Sequence, residues 1–399
     1  MKGLSSFPEN GCVESDKWTG QGLHRFLCVQ GGDHDRSYAK NSEASAFAIT
    51  LCKPMLLQAI GSMKLFVGGE GGGGGSCSIR VADLGCAAGY NTLATVDTVV
   101  ESLRERYTEL GFEPEFEAFF SDLPSNDFNS LFRSLSYTMP DDVRPRSYFA
   151  AGVPGSFYCR LFPRGKIHVA VSLSALHWLS QIPSTVLDKG SRAWNGGRAW
   201  IDGASEEVVE AYSRQSEEDL YNFFKCRREV MVEGGVLFLL MGGRPDSHEP
   251  RNQLGDDESR EKHPFTISMD RAWQDLLDEG LVDEETRDAF NIPAYMRSME
   301  EVERAIVKCG GFEVQVMEYK RMSENSSEKK QELTMDPVSY GRAKANLVRA
   351  TLGPIVEAHI GPHLSEQLFL RFERRVSSDA YLLSKTCFYG VIIVRAIRK

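Results

Sequence analysis

The stretch from Ser78 to Asn91, SIRVADLGCAAGYN, constrains this chain more than any other. Ser78–Leu84 reads as a buried strand that ends at Gly85. After a second glycine, Gly89, comes the run Tyr90–Tyr107, whose Leu93, Val96, Val100, Leu103 and Tyr107 fall on one helical stripe. Strand, small-residue turn and helix together form half of a βαβ unit, and they commit the chain to a largely parallel sheet. The rest of the sequence keeps to that pattern. Further strands are expected at Phe116–Ser121, Ser147–Ala151 and Lys166–Ser172. A polar helix, Glu206–Glu233, leads into the apolar strand Gly235–Met241, and residues 265–310 read as largely helical. Gly311–Glu318 is expected as a strand, Val338–Val376 as helical, and Cys387–Ala396 as a closing strand. Helical material at about 180–233 and 264–310 exceeds what the sheet needs. The expectation is therefore an α/β fold, a Rossmann-like sheet with helices on both faces and an α-helical cap over the carboxyl ends of the strands. Residues 1–25 read as a flexible N-terminal arm ahead of one domain spanning 26–399. The glycine run 68–76 reads as a connector and 323–332 as mobile.

Charge and cysteine content narrow the function classes. A formal net charge of −10 argues against a protein that holds nucleic acid by neutralising phosphates. No apolar run approaches the ~18 residues of a membrane helix, and no targeting segment is visible, so the expected setting is the cytosol, with no membrane partner. Nine cysteines, none in a C-x-x-C spacing, read as reduced thiols rather than as a zinc or redox site. His359 and His363 have a metal-like spacing, but Gly361 and Pro362 interrupt it and no further ligand motif accompanies them.

The turn Asp83-Leu84-Gly85-Cys86-Ala87-Ala88-Gly89 sits where an open α/β sheet binds ligands. It is not the dinucleotide pattern G-x-G-x-x-G, because its glycines stand four apart, and the acid after the second strand is Asp122. An acid at the end of strand one, a small-residue turn and a second acid at Asp122 suit S-adenosylmethionine: glycines let the backbone approach the cofactor and Asp122 can bond ribose hydroxyls. Gly-Ser156-Phe157-Tyr158 lacks the second glycine of a nucleophile elbow, which favours Ser156 as a cofactor contact over a hydrolytic serine.

Six segments together resemble the plant salicylate/benzoate/theobromine (SABATH) methyltransferases: SYAKNS (37–42), ADLGCAAGYN (82–91), SDLPSNDFNSLF (121–132), GVPGSFYCRLFP (152–163), ALHWLSQIP (175–183) and FNIP (290–293). The resemblance runs from about Val29 to the C-terminus. It implies that Tyr38, Ser42, Asp83, Asn91, Asp122, Leu123, Ser156 and Phe157 hold S-adenosylmethionine, released as S-adenosylhomocysteine, with Tyr38 closing over the methyl group. It places His177 and Trp178 as the pair that orients the acceptor, and Ser45, Ser174, Val348, Thr351 and Phe388 around that acceptor. The family often has Lys where Gln30 stands and Gln where Ser45 stands. Asp188, Asp288, Phe290 and Asn291 match positions that hold Mg²⁺ in some members, with Asp188 replacing an expected Asn. A homodimer is implied as well.

The reaction this resemblance implies is O-methylation of a carboxylic acid. Such an acid, with a pKa near ~4, is ionised at neutral pH and needs no general base. The catalytic task is then alignment and exclusion of water, with the imidazole N–H of His177 and the indole N–H of Trp178 each bonding a carboxylate oxygen. Ser174 and Ala175 stand where many aromatic-acid enzymes read Tyr-Ser. The smaller wall favours a small aromatic acid of cinnamate or p-coumarate type, with benzoate or salicylate next. The alternatives are a hormone-like acid (indole-3-acetate, jasmonate, a gibberellin or farnesoate), N-methylation of a purine alkaloid, or a non-catalytic acid-binding protein.

Overall fold

A computed structural model describes residues 22–66, 78–137, 147–254, 263–323, 335–384 and 388–399. The connector at 68–76, residues 1–21 and residues 324–332 of the expected mobile stretch lie outside them. Seven strands form one sheet: β1 (Ser78–Leu84), β2 (Glu115–Asp122), β3 (Phe149–Pro154), β4 (Ile167–Leu173), β5 (Met231–Gly242), β6 (Phe312–Ser323) and β7 (Phe388–Arg398). Their order is β3-β2-β1-β4-β5-β7-β6. The first five run parallel, and β7 inserts antiparallel between β5 and β6. The order reverses at β1, so the carboxyl ends of β1, β2 and β4 flank the crevice in which such sheets bind ligands.

Helices cover both faces. On one side lie α1 (Glu43–Gly61), α2 (Tyr90–Glu109) and α3 (Phe128–Tyr137); on the other, α4 (Glu206–Val230) and α7 (Met299–Cys309). All five stripe residues of α2 are buried. α4 begins with Glu206 and Glu207 and ends with Arg227 and Arg228, charges that oppose the helix dipole at each end. Ser298 and Glu301 close a capping box on α7. The 19 residues of α1 are long and apolar enough, by composition, to cross a membrane. The helix instead lays Ala48, Cys52, Leu56, Ala59 and Ile60 into the core.

A third cluster forms the cap. It is built from α5 (Pro264–Asp278), α6 (Glu284–Ala289), α8 (Pro337–Ser378), α9 (Ala380–Ser384) and the segment 179–204, around Trp273, Phe290 and Phe372. Two expectations need correction here. The stretch 180–205 is not helical apart from the short turn Ser184–Val186, because Pro183, Gly190, Gly196, Gly197 and Gly203 prevent a continuous helix. α8 is interrupted at Gly361, whose φ of 77° breaks it into two, as expected of the Gly361-Pro362 pair. The expected arm, 1–25, also takes in described residues that are not loose: Leu23 is fully buried within a turn, Leu23–Arg25.

Candidate functional site

β1 ends on a turn that only a residue without a side chain can make. Gly85 has a φ of 84°, and a Cβ there would lie 2.3 Å from the Cβ of Ala175. The turn is fastened to β2. Gly85 N and Cys86 N donate to Ser121 O, Ala87 N donates to Asp122 Oδ2 at 2.7 Å, and Asn126 Nδ2 donates to Ala87 O. Among the described residues, Ala87 and Ser174 alone adopt positive φ without being glycine, and both line the same cleft. Strained backbone of this kind persists where the surroundings over-determine it.

The cleft opens to solvent, and its space, counting the open mouth, is about 970 Å³. Asp83 and Asp122 face it from the ends of β1 and β2. Asp83 Oδ2 accepts from the Thr92 hydroxyl at 2.5 Å, while its buried Oδ1 has no partner among the described residues. Burial pushes the Asp83 carboxyl up to about 7, against the opposing effect of Thr92. Asp122, pushed up to about 6 by burial, accepts from the backbone N–H groups of Ala87 and Leu123. An orphaned carboxylate oxygen aimed into a cavity, beside a second carboxylate and a glycine turn with no room for a side chain, fits a ligand carrying an ammonium group and ribose hydroxyls. S-adenosylmethionine has both.

Asn91, Leu123, Ser156 and Phe157 also line the cleft. Ser42 does not, but its hydroxyl accepts from Asn91 Nδ2 at 3.3 Å and so orients a residue that does. Tyr38 lines the cleft and donates to Ser45 Oγ at 3.2 Å; Ser45 itself stands behind it. Ser156 Oγ accepts from Tyr158 N, an arrangement with no histidine base.

On the acceptor side Trp178, Ser174 and Thr351 line the cleft, whereas His177 and Val348 do not. The His177 ring packs by Gly242 and Met296. Burial first, then the Arg297 charge, push it down to about 4, so it is neutral. Gly242 N donates to Nδ1 at 3.4 Å, which leaves the ring proton on Nε2. Of the two residues expected to orient the acceptor, Trp178 lines the cleft and His177 does not. Val348 packs into the cap core instead. Phe388 opens β7, and its side chain lies outside the described residues.

Three of the four positions matched to Mg²⁺ have protein partners, and the fourth packs in the cap. Asp188 is exposed and accepts from Gly190 N. Asp288 is buried, but its Oδ1 already meets the Arg287 guanidinium at 2.7 Å and Gly197 N at 2.8 Å. Asn291 Oδ1 accepts from Asn195, and Phe290 stacks on Trp273. Asp288 Oδ2 and Asn195 Oδ1 are buried without a partner among the described residues, but no cluster of three His, Cys, Asp or Glu occurs among them.

Several lining residues were not singled out from the sequence. His24 and Leu27 reach the cleft from the N-terminal segment, and Thr92 follows Asn91 on α2. Arg227, fully buried, donates to the carbonyls of Phe157 (2.8 Å) and Cys159 (2.9 Å) and so fixes the wall after β3.

Residues 24–399 match the family described as SAM dependent carboxyl methyltransferase. Gibberellic acid methyltransferase 2 of Arabidopsis thaliana is 57% identical over 96% of this chain and 97% of its own length. Gibberellic acid methyltransferase 1 of the same plant is 52% identical over 94% and 98%. Among solved structures, a loganic acid methyltransferase with SAH superposes with a TM-score of 0.79 at 30% identity, covering 93% of this chain and 99% of that one.

Proposed function

The chain belongs to the SABATH family of S-adenosylmethionine-dependent carboxyl methyltransferases, and from that premise we propose that its acceptor is a hormone-like acid of gibberellin type. The observation that carries the assignment to carboxyl transfer is the layout of one cleft. A buried carboxylate, Asp83, and a part-buried one, Asp122, stand at the ends of β1 and β2, and the same cleft is lined by a tryptophan whose indole N–H no described residue accepts.

When bound, S-adenosylmethionine supplies an electrophilic methyl group. Asp83 offers its free oxygen to the cofactor's ammonium, and Asp122, held by two backbone N–H groups, presents its carboxylate to ribose hydroxyls. Tyr38, tied to Ser45, covers the space between the two ligands. Trp178 donates its indole N–H to one acceptor oxygen and leaves the other free to attack. No residue needs to take a proton, because the acceptor arrives ionised. The work of the site is orientation and the removal of water.

Support for the acceptor comes from two directions. The relatives that are more than half identical over nearly the whole chain carry gibberellic acid in their names, whereas the loganic acid enzyme stands at 30%. The small wall at Ser174 and Ala175 suits a bulky polycyclic acid at least as well as a planar one. The cinnamate preference drawn from that wall is accordingly replaced: volume alone distinguishes long from short, not flat from polycyclic. The test uses methyl-labelled S-adenosylmethionine and a panel of gibberellic acid, indole-3-acetate, jasmonate, farnesoate, p-coumarate, benzoate and a xanthine. Label extracted as an ester of gibberellic acid is the expected result. Label on another acid alone would reassign the substrate, and label on the xanthine alone would overturn carboxyl transfer.

A further inference from the structure

The backbone that carries Trp178 is held from behind at three successive carbonyls, each by a different donor. Arg297, fully buried, donates through Nη1 to Leu176 O, and through Nη2 to Ser216 O at 3.4 Å. Tyr295 N donates to His177 O at 2.8 Å. The Tyr158 hydroxyl donates to Trp178 O at 2.5 Å and lies 3.4 Å from Leu176 O. Asp219 then takes both the N–H (2.8 Å) and the hydroxyl (2.6 Å) of Ser180, and Gln215 braces that carboxylate. Segment 176–180 is irregular backbone between β4 and the cap, and without these donors its carbonyls would be buried and unpaired. An indole direction set on irregular backbone is only as well defined as the peptide planes on either side of it.

We propose that Tyr158 and Arg297 are positioning residues for the acceptor: by fixing the carbonyls of Leu176 and Trp178 they aim the indole N–H of Trp178 at the carboxylate. This rests on the reading of Trp178 as the carboxylate donor given above. Tyr158 comes from the loop after β3, the cofactor wall, and Arg297 from the chain entering α7. The acceptor donor is thereby referenced to the wall after β3, where Tyr158 itself lines the cleft, and to the chain entering α7. Arg297 is suited to the task because its planar fork reaches two carbonyls at once. Its backbone is itself fixed, with Arg244 N donating to Arg297 O at 2.8 Å beside the bridge of Gly243 to Arg297.

The test measures binding to full-length enzyme saturated with S-adenosylhomocysteine. The ligands are gibberellic acid, or whichever acid of the panel takes the label, and the primary alcohol that replaces its carboxyl group. Tyr158→Phe removes one hydroxyl and keeps the ring. It is expected to weaken the acid about tenfold, the loss of roughly one hydrogen bond, while leaving the alcohol and S-adenosylhomocysteine within about twofold of wild type. Arg297→Lys, which keeps one donor, is expected to show the same selective loss, and it carries the test if Tyr158→Phe does not fold. Acid affinity unchanged in both variants, with Trp178→Phe weakened, overturns the inference and leaves the donor reading standing. Equal weakening of acid, alcohol and S-adenosylhomocysteine also overturns it, since that is what a general structural role produces. Unchanged acid affinity in Trp178→Phe overturns both.

Discussion

The backbone N–H of Ala87 lies 2.7 Å from Asp122 Oδ2, and that bond ties the turn after β1 to the end of β2. Ala87 holds a left-handed φ of 53°, so the same carboxylate that faces the cofactor also stabilises the strained turn beneath it. Cofactor contact and scaffold meet in one side chain. Asp122→Asn keeps the size of the group but sets an amide N–H₂ against one of two backbone donors, Ala87 N or Leu123 N. The expected outcome is a rise of at least tenfold in the Kd for S-adenosylhomocysteine, measured by calorimetry, with a lower melting temperature. A variant that binds with wild-type affinity would remove Asp122 from the site.

Burial holds Asp83 up to about 7 and Asp122 up to about 6 in the empty cleft. Between the unfolded carboxylate range and these values the native state binds more protons than the unfolded one. The stability of the empty protein is therefore expected to fall as pH rises from about 4 to 7. Cofactor binding runs the other way: it needs the carboxylates ionised, so affinity is expected to drop as pH falls below about 7, with protons released on binding. Calorimetry in buffers of different ionisation enthalpy reads that release directly. Asp83→Asn is expected to bind more weakly and to lose most of the pH dependence. An affinity that stays flat between pH 5.5 and 8 in the wild type would contradict the linkage.

Gly85→Ala brings two separable penalties. One is the positive φ, costing about 1–3 kcal/mol. The other is overlap with Ala175, whose Cβ would stand 2.3 Å from the new one. Ala175→Gly relieves the second and not the first. In a double-mutant cycle the pair is expected to be more stable than the sum of the single variants, yet still below wild type. Strict additivity in chemical denaturation would show that the turn moves away from Ala175 instead.

What could be read from the sequence was local and periodic. The β1–turn–α2 unit and its two acids follow from spacing within a few dozen residues, and the five stripe residues of α2 are buried as expected. α1 has no such stripe. Its apolar residues run round the helix, with Lys53 and Pro54 among them, and the pattern gave no face to detect. The contribution of His24 was hidden for another reason: only folding brings the N-terminal segment beside Ser125 and Ser180. The carbonyl holders Arg227 and Arg297 are equally silent, because a buried arginine that bonds backbone leaves no partner residue in the sequence to pair it with.

The Mg²⁺ expectation has a direct counterpart in solution. Asp288 Oδ1 is held by Arg287 and Asp188 is exposed, so these contacts form without an ion, although Asp288 Oδ2 has no partner among the described residues. Treatment with a chelator followed by desalting is expected to leave kcat and melting temperature unchanged. Asp288→Asn, by contrast, is expected to destabilise the cap, since it leaves the largely buried Arg287 guanidinium without its short-range carboxylate. A loss of activity on chelation that added Mg²⁺ restores would require the 188–197 and 288–291 segments to rearrange.

Trp178 and His177 are adjacent in sequence, their ring centroids are 5.8 Å apart, and either could be taken as the acceptor donor. The structure separates them. Trp178 lines the cleft with its indole N–H unclaimed among the described residues, while His177 packs toward Gly242 and Met296 with Nδ1 engaged. Trp178→Phe is therefore expected to lower kcat/KM for the acceptor by roughly ten- to a hundredfold, the range for losing a hydrogen bond to a charged group. His177→Ala is expected to act through the packing it removes, lowering stability and changing kcat/KM far less. Because His177 is neutral down to about pH 4, its removal is also expected to leave the pH profile above 5 unaltered. If the two variants lose the same activity while cofactor affinity holds, the paired-donor arrangement is restored. The His177 ring must then turn from Gly242 to the cleft when the acceptor binds, which the loss of the Gly242 N–H bond would report in amide exchange.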